Sequence, residues 1–230
     1  MTKIYCDIAD INLIRKFNKK TLVKGFTTNP SLMRKAGAKD YTKYSKQILN
    51  STKKPVSCEV FADETSKMLL QGININQWGK NVYVKIPVTN SKGKFMGSVI
   101  NQLNKRKIKL NITAVYTANQ TKQILNKINK ETKVIISLFA GRMADVGKDP
   151  VPEIKKSLRL AKNYKNVEIL WASVREPYNY IQAKQLKCHI ITVPPSIIEK
   201  IEKFGKTFNK LTTDTVKGFL KDSKKSKFKI

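Results

Sequence analysis

Short apolar runs rich in β-branched residues recur along the chain, and each is followed by a longer stretch whose apolar positions repeat every three to four residues. The runs are "IYCDI" from Ile4, "LVKGFT" from Leu22, "VSCEVF" from Val56, "VYVKIPV" from Val82, "IKLNITAV" from Ile108, "VIISLFA" from Val134, "EILWASV" from Glu168 and "HIITVP" from His189. Between them lie helical patterns such as "YTKYSKQILN", "TANQTKQILNKI" and "VPEIKKSLRLAKNY", the last opened by Asp149-Pro150 and Pro152. Eight strands alternating with helices predict a single-domain α/β fold, the closed (β/α)₈ TIM barrel. An open doubly wound sheet is the competing architecture, but neither G-x-G-x-x-G nor G-x-x-x-x-G-K-[ST] is present to cradle a nucleotide. The amphipathic "IIEKIEKFGKTF" extends the barrel domain, residues 1–220, into a C-terminal helix over about residues 196 to 220. The remaining 221–230, "KDSKKSKFKI", are expected to form a basic, disordered tail.

Charge changes the picture less than its size suggests. Forty-six Lys and Arg against 16 Asp and Glu give a formal charge of +30, which would suit a nucleic-acid binder. The lysines, however, are spread over nearly every segment, arginine is scarce, and no aromatic-interleaved basic strip accompanies them. A basic field also attracts phosphorylated metabolites, so no specific nucleic-acid partner is expected. No apolar stretch reaches the length of about 18 residues that a membrane span needs, and Asp7 and Asp10 break up the N-terminal run. The expectation is a cytoplasmic protein with no membrane partner. Cys6, Cys58 and Cys188 are odd in number and lack C-x-x-C spacing, so neither disulfides nor a metal site is indicated. The one histidine, His189, reads as structural.

A barrel of this type builds its active site at the C-terminal ends of its strands, where several polar groups should therefore collect. Lys85 is the first candidate, because a charge inside "VYVKIPV" interrupts what otherwise reads as a buried strand. It is either a snorkelling strand-end lysine or an amine poised to form a Schiff base with a carbonyl. Its neighbours favour the second. The first strand delivers Asp7, the second Thr28 and Asn29 before Pro30, and the third Glu59. Asn111 and Thr113 share a face on the fifth; Ser137, Phe139 and Arg142 follow on the sixth; Ser173 and Arg175 follow on the seventh. Singly each could be a cap, a turn former or a solvated end. Seven successive strands offering a polar group at the same end point to a site.

The stretches "GFTTNPSL" (25–32), "VKIPVT" (84–89), "NITAVYTANQ" (111–120), "SLFAGRMAD" (137–145) and "WASVREP" (171–177) resemble the transaldolases and the small fructose-6-phosphate aldolase branch of that superfamily. The resemblance runs from the first strand to about Pro195. It implies a (β/α)₈ barrel without metal or other cofactor that passes a dihydroxyacetone unit from a ketose phosphate to an aldose phosphate. Donors such as sedoheptulose 7-phosphate or fructose 6-phosphate, acceptors such as glyceraldehyde 3-phosphate or erythrose 4-phosphate, and a place in the pentose phosphate pathway are implied with it. Lys85 would be the Schiff-base lysine and Asp7 the base at the C4 hydroxyl, while Glu59 with Thr113 would move protons through a water. Asn29, Asn111 and Ser137 would hold the three-carbon unit, with Thr28 and Phe139 beside it. Arg142, Ser173 and Arg175 would bind phosphate, and two arginines in a chain that otherwise uses lysine suit that planar recognition.

Two positions separate the branches. Glu59 stands where the aldolases carry glutamine, and Phe139 stands where they carry a tyrosine whose hydroxyl helps a water reach the enamine. Both favour transaldolase over the aldolase alternative. Val174, where phenylalanine is usual, and the double proline of "VPPSII" depart from the pattern and bear on acceptor preference and C-terminal packing. The resemblance also implies a homo-oligomer, a pentamer or decamer, in which the C-terminal helix docks on a neighbour. The remote alternative is a non-catalytic, basic nucleic-acid-binding barrel.

Overall fold

The computed structural model describes residues 1–226. Strand β1 (Lys3–Asp7) is followed by α1 (Ile11–Asn18), β2 (Val23–Thr27), α2 (Pro30–Lys35), α3 (Tyr41–Asn50), β3 (Val56–Glu59) and α4 (Thr65–Asn76). The chain continues with β4 (Val82–Pro87), α5 (Gly97–Lys105), β5 (Leu110–Val115), α6 (Ala118–Leu125), β6 (Val134–Leu138) and α7 (Ala140–Asp145). It ends with α8 (Val151–Ala161), β7 (Val167–Trp171), α9 (Tyr178–Gln185), β8 (Ile190–Val193), α10 (Pro195–Ile201) and α11 (Phe208–Ser226). All eight strands are parallel and ordered as in the sequence, and β8 closes on β1. The eight apolar runs thus became the staves of a TIM barrel, each ending at or before the last residue of its run, with β1 and β7 beginning one residue earlier than theirs.

Alternation along the staves explains why one barrel carries two environments. Tyr5, Tyr83, Ile135, Leu170 and Ile190 meet inside the lower barrel as an apolar plug. Two residues on, the same face of each strand presents Asp7, Lys85, Ser137, Ala172 and Thr192 to the upper cavity. Gly25 leaves room for the plug, since a β-carbon there would sit 2.5 Å from the Tyr5 ring. The intervening residues, among them Ile4, Cys6, Phe26, Val84 and Ile86, point outward into the buried layer between strands and helices. All three cysteines are buried and unpaired.

The C-terminal region differs from expectation. Instead of one helix over residues 196 to 220, α10 stops at Ile201, the chain turns through Gly205 at a φ of +99°, and α11 begins after Thr207. The stop and start signals in "FGKTF" prevail over its amphipathic period: glycine adopts the left-handed turn, and the Thr207 hydroxyl accepts the Lys210 amide at 3.3 Å. Residues 221–226, expected in a disordered tail, continue α11; residues 227–230 of that tail lie outside the described residues. No helix among the described residues is long and apolar enough to cross a membrane.

Candidate active site

A cavity of about 280 Å³ opens at the C-terminal end of the barrel, lined by Asp7, Asn29, Lys85, Asn111, Thr113, Ser137, Phe139, Arg142, Ser173 and Arg175 among others. The structure therefore brings together ten of the twelve residues singled out from the sequence. Lys85 lies on its floor, 7 % exposed, with Glu59 beside it in register on β3 and Asn111 on β5. Its ammonium donates to Glu59 Oε2 at 3.1 Å and to the Thr28 carbonyl at 3.2 Å. A buried charge so held is oriented as well as neutralised.

Glu59 does not line the cavity but reaches it through this pair. Thr28 is the residue whose expected place needs correction. Its side chain turns away, donating its hydroxyl to the Ser57 carbonyl at 2.8 Å, and the residue facing the cavity is Thr27. Adjacent strand residues face opposite sides, so a choice one residue off reverses the side chain. Thr27 donates to Asp7 Oδ1 at 2.6 Å and its hydroxyl also lies 2.6 Å from that of Thr192. Burial raises the Asp7 carboxyl above the ordinary carboxylate range, and the nearby Glu59 charge adds to this, while the Thr27 hydrogen bond and the Lys85 charge oppose it. A carboxylate with raised proton affinity, near a lysine, suits a base.

On the opposite wall Ser137 donates to Asn111 Oδ1 at 2.7 Å, and Asn111 Nδ2 donates to Ser57 Oγ at 2.9 Å. This chain fixes the amide's orientation. Thr113 Oγ1 is buried without a partner among the described residues, which leaves one hydroxyl in the cavity wall to bond whatever enters it. Asn29 spends its side-chain oxygen on the Leu32 amide at 2.9 Å, capping α2, so its amide nitrogen is the group left for a ligand.

The basic end of the cavity is built by α7 and the turn after β7. Gly141 is required there, because a β-carbon would fall 1.5 Å from the Ser173 carbonyl oxygen, and Ser173 itself sits at a φ of +65°. Arg142 stacks its guanidinium 5.2 Å from the centre of the Phe139 ring. Arg175 donates Nε to Asp145 Oδ1 at 2.8 Å, pairs Nη2 with Asp145 Oδ2, and reaches the Ser173 carbonyl with Nη1 at 3.1 Å. The pair holds the Asp145 carboxyl below its usual range and raises Arg175. Among the described residues no three His, Cys, Asp or Glu side chains converge on a metal position.

A family model described as "Transaldolase/Fructose-6-phosphate aldolase" matches residues 4–230. The chain belongs to this family. A "Probable transaldolase" of Thermoanaerobacter sp. (strain X514) is 32 % identical over 99 % of the chain and 100 % of its own length. One from Nitrosopumilus maritimus (strain SCM1) is 34 % identical over 98 % and 96 %. Among solved structures, orotidine 5'-monophosphate decarboxylase from Metallosphaera sedula superposes with a TM-score of 0.56 over 88 % of this chain and 96 % of its own, at 12 % identity. That likeness concerns the barrel alone. Membership makes the chain an enzyme of the transaldolase type.

Several site residues escaped the sequence: Thr27, Ser57, Thr192, Asp145 and, behind Glu59, Tyr41. Period-two counting back from Glu59 finds Ser57, whereas Thr27 and Thr192 lie on other strands and are placed inward by their register with Asp7 and Tyr5. Asp145 stood within "SLFAGRMAD" with nothing local to join it to Arg175, 30 residues on.

Proposed function

We propose that the protein is a transaldolase that carries a dihydroxyacetone unit from sedoheptulose 7-phosphate or fructose 6-phosphate to glyceraldehyde 3-phosphate or erythrose 4-phosphate, in the pentose phosphate pathway of the cytoplasm. The observation that carries this reading is the buried Lys85 amine, held between a carboxylate and a carbonyl on the cavity floor. After giving up a proton, Nζ attacks the C2 carbonyl of the donor. Glu59 and Thr113 pass protons through a water as the carbinolamine loses water to become an iminium. Asp7 takes the C4 hydroxyl proton, the C3–C4 pair flows into the iminium, and an aldose phosphate leaves. The enamine that remains attacks the acceptor aldehyde, Asp7 returns the proton, and hydrolysis frees the product and Lys85.

Asn29, Asn111 and Ser137 suit the hydroxyls of the three-carbon unit, and Arg142, Ser173 and Arg175 suit the phosphate. Phe139 favours transfer over release of free dihydroxyacetone, since its ring gives no proton path to the enamine. Fructose-6-phosphate aldolase remains the second reading, separated by the fate of that enamine. Assembly into a homo-oligomer is supported by α11, which buries none of its residues and exposes Phe208, Leu211, Val216, Phe219 and Leu220.

The test is incubation with fructose 6-phosphate, borohydride reduction and intact mass. A dihydroxyacetone adduct, lost in Lys85→Ala and discharged by erythrose 4-phosphate added before reduction, is the expected result. No adduct with either ketose phosphate would overturn the proposal. An adduct that decays to free dihydroxyacetone as fast as it is transferred would assign the aldolase activity instead.

A further inference from the structure

Strands β2 and β3 pair over only two positions, Phe26 with Val56 and Thr27 with Ser57, the shortest match in the barrel together with that of β7 and β8. The ladder runs from the Phe26 amide, on the Pro55 carbonyl at 2.8 Å, to the Thr28 amide, on the Ser57 carbonyl at 3.2 Å. In a regular parallel ladder the Glu59 amide would next donate to the Thr28 carbonyl, and the amide of residue 30 would donate to the Glu59 carbonyl. Neither bond forms. The Thr28 carbonyl instead accepts the Lys85 ammonium, and residue 30 is Pro30, which has no amide hydrogen.

Both backbone groups of Glu59 would be orphaned at a half-buried site, at a cost comparable to a lost hydrogen bond each. One side chain satisfies both. Tyr41, the first residue of α3, accepts the Glu59 amide and donates to the Glu59 carbonyl, each at 2.8 Å. Burial pushes its phenol well above the ordinary range, so the hydroxyl keeps the proton it must donate. Its ring is wedged edge-on against Phe61 and Trp78, with centroids at 5.3 and 5.9 Å. Beyond Glu59, Gln71 accepts the amides of Phe61 and Ala62 at 3.0 and 2.9 Å.

We infer that Tyr41 is a positioning residue for the proposed transaldol reaction: its hydroxyl stands in for the missing β2 backbone, which sets the Glu59 carboxylate against Lys85 and leaves the Thr28 carbonyl free to bind the same amine. The inference rests on the role given to Glu59 above. It concerns a residue that lies outside the cavity lining.

The experiment compares full-length wild type, Tyr41→Phe, Glu59→Gln and the double variant in transfer from fructose 6-phosphate to erythrose 4-phosphate, with the rate of borohydride-trappable adduct formation measured alongside. Tyr41→Phe should lower kcat and the trapping rate on the order of 10-fold, part of what an acid–base group contributes, with donor KM within about twofold. In the Glu59→Gln background it should cost little more, because the two act as a unit. Gln71→Ala loosens the same loop without touching Glu59 and should leave the trapping rate near wild type. Equal losses in Tyr41→Phe and Gln71→Ala, additive losses in the double variant, or an unchanged trapping rate would each overturn the inference. If Tyr41→Phe does not fold, 3-fluorotyrosine at position 41 keeps both bonds while altering donor and acceptor strength, and an unaltered trapping rate there would also overturn it. Wild type that traps no adduct would instead defeat the proposed function itself, so the two failures are distinguishable.

Discussion

The concavity at the N-terminal end of the barrel is the larger of the two, about 1020 Å³ against about 280 Å³ at the C-terminal end. It is also rich in ionisable groups, with Lys3, Lys130, Lys133, Arg159, Lys162, Lys165 and Lys187 around Glu131, Glu168 and His189. Yet its polar groups do not converge. Lys3 pairs with Glu168 across a partly exposed surface, most of the lysines face solvent, and Tyr5 and Tyr83 seal the floor with buried phenols, that of Tyr83 pushed up to about 12 by burial. At the other end a smaller space holds a buried amine, a carboxyl of raised proton affinity and a hydrogen-bonded amide–hydroxyl chain within one wall. Volume marks where something fits, and convergence of desolvated groups marks where chemistry is possible.

Substitutions at the two ends test that contrast. At the upper end, Lys85→Ala should reduce transfer by more than about 10³-fold and abolish the reduced adduct, since the proposed reaction has no other group for its covalent step. A coupled assay together with intact mass reads both. Next in size, Arg175→Ala should raise the KM for phosphorylated donors about 10- to 100-fold, the worth of a charge-assisted bond to phosphate, while sparing unphosphorylated fructose. Steady-state kinetics with the two sugars separates phosphate binding from a general loss of fold.

The lower end should respond in stability alone. His189 accepts the Ile169 amide on Nδ1 at 2.9 Å, and burial lowers its pKa below the ordinary 6.5. The unfolded chain therefore takes up this proton first as pH falls, so the neutral ring's contribution is present above about 6.5 and is lost below it. His189→Asn should flatten the fall in Tm between pH 6.5 and 5 and leave kcat unchanged. A pH series of thermal melts that stays parallel to wild type would deny the link. Smallest of all, Lys133→Gln with Lys165→Gln should change kcat/KM less than about twofold, as expected for exposed charges far from the chemistry. A larger loss would mean that the basic face takes part in substrate capture.

Much of this was legible in the residues because it rests on local rules. Short β-branched apolar runs separated by helical periods named every strand, and the polar residues at one end of those runs named most of the cavity lining, Lys85 first. What stayed hidden depends on which partner arrives from elsewhere in the chain. Thr28 and Thr27 are equivalent as text, and only the register with Ser57 turns one hydroxyl outward and the other toward Asp7. "FGKTF" carries both an amphipathic period and a glycine turn, and the turn prevailed.

The closed barrel and its polar end were already written in the covalent chain, since side-chain alternation and strand count are properties of the residues. Tertiary structure alone decided the pairings that put those groups to use: Arg175 with Asp145, Asn111 with Ser57 and Ser137, and Tyr41 with both backbone groups of Glu59. A hydrogen bond needs its two partners within about 3 Å, and residues from 18 to 54 positions apart meet that condition only after the barrel has closed.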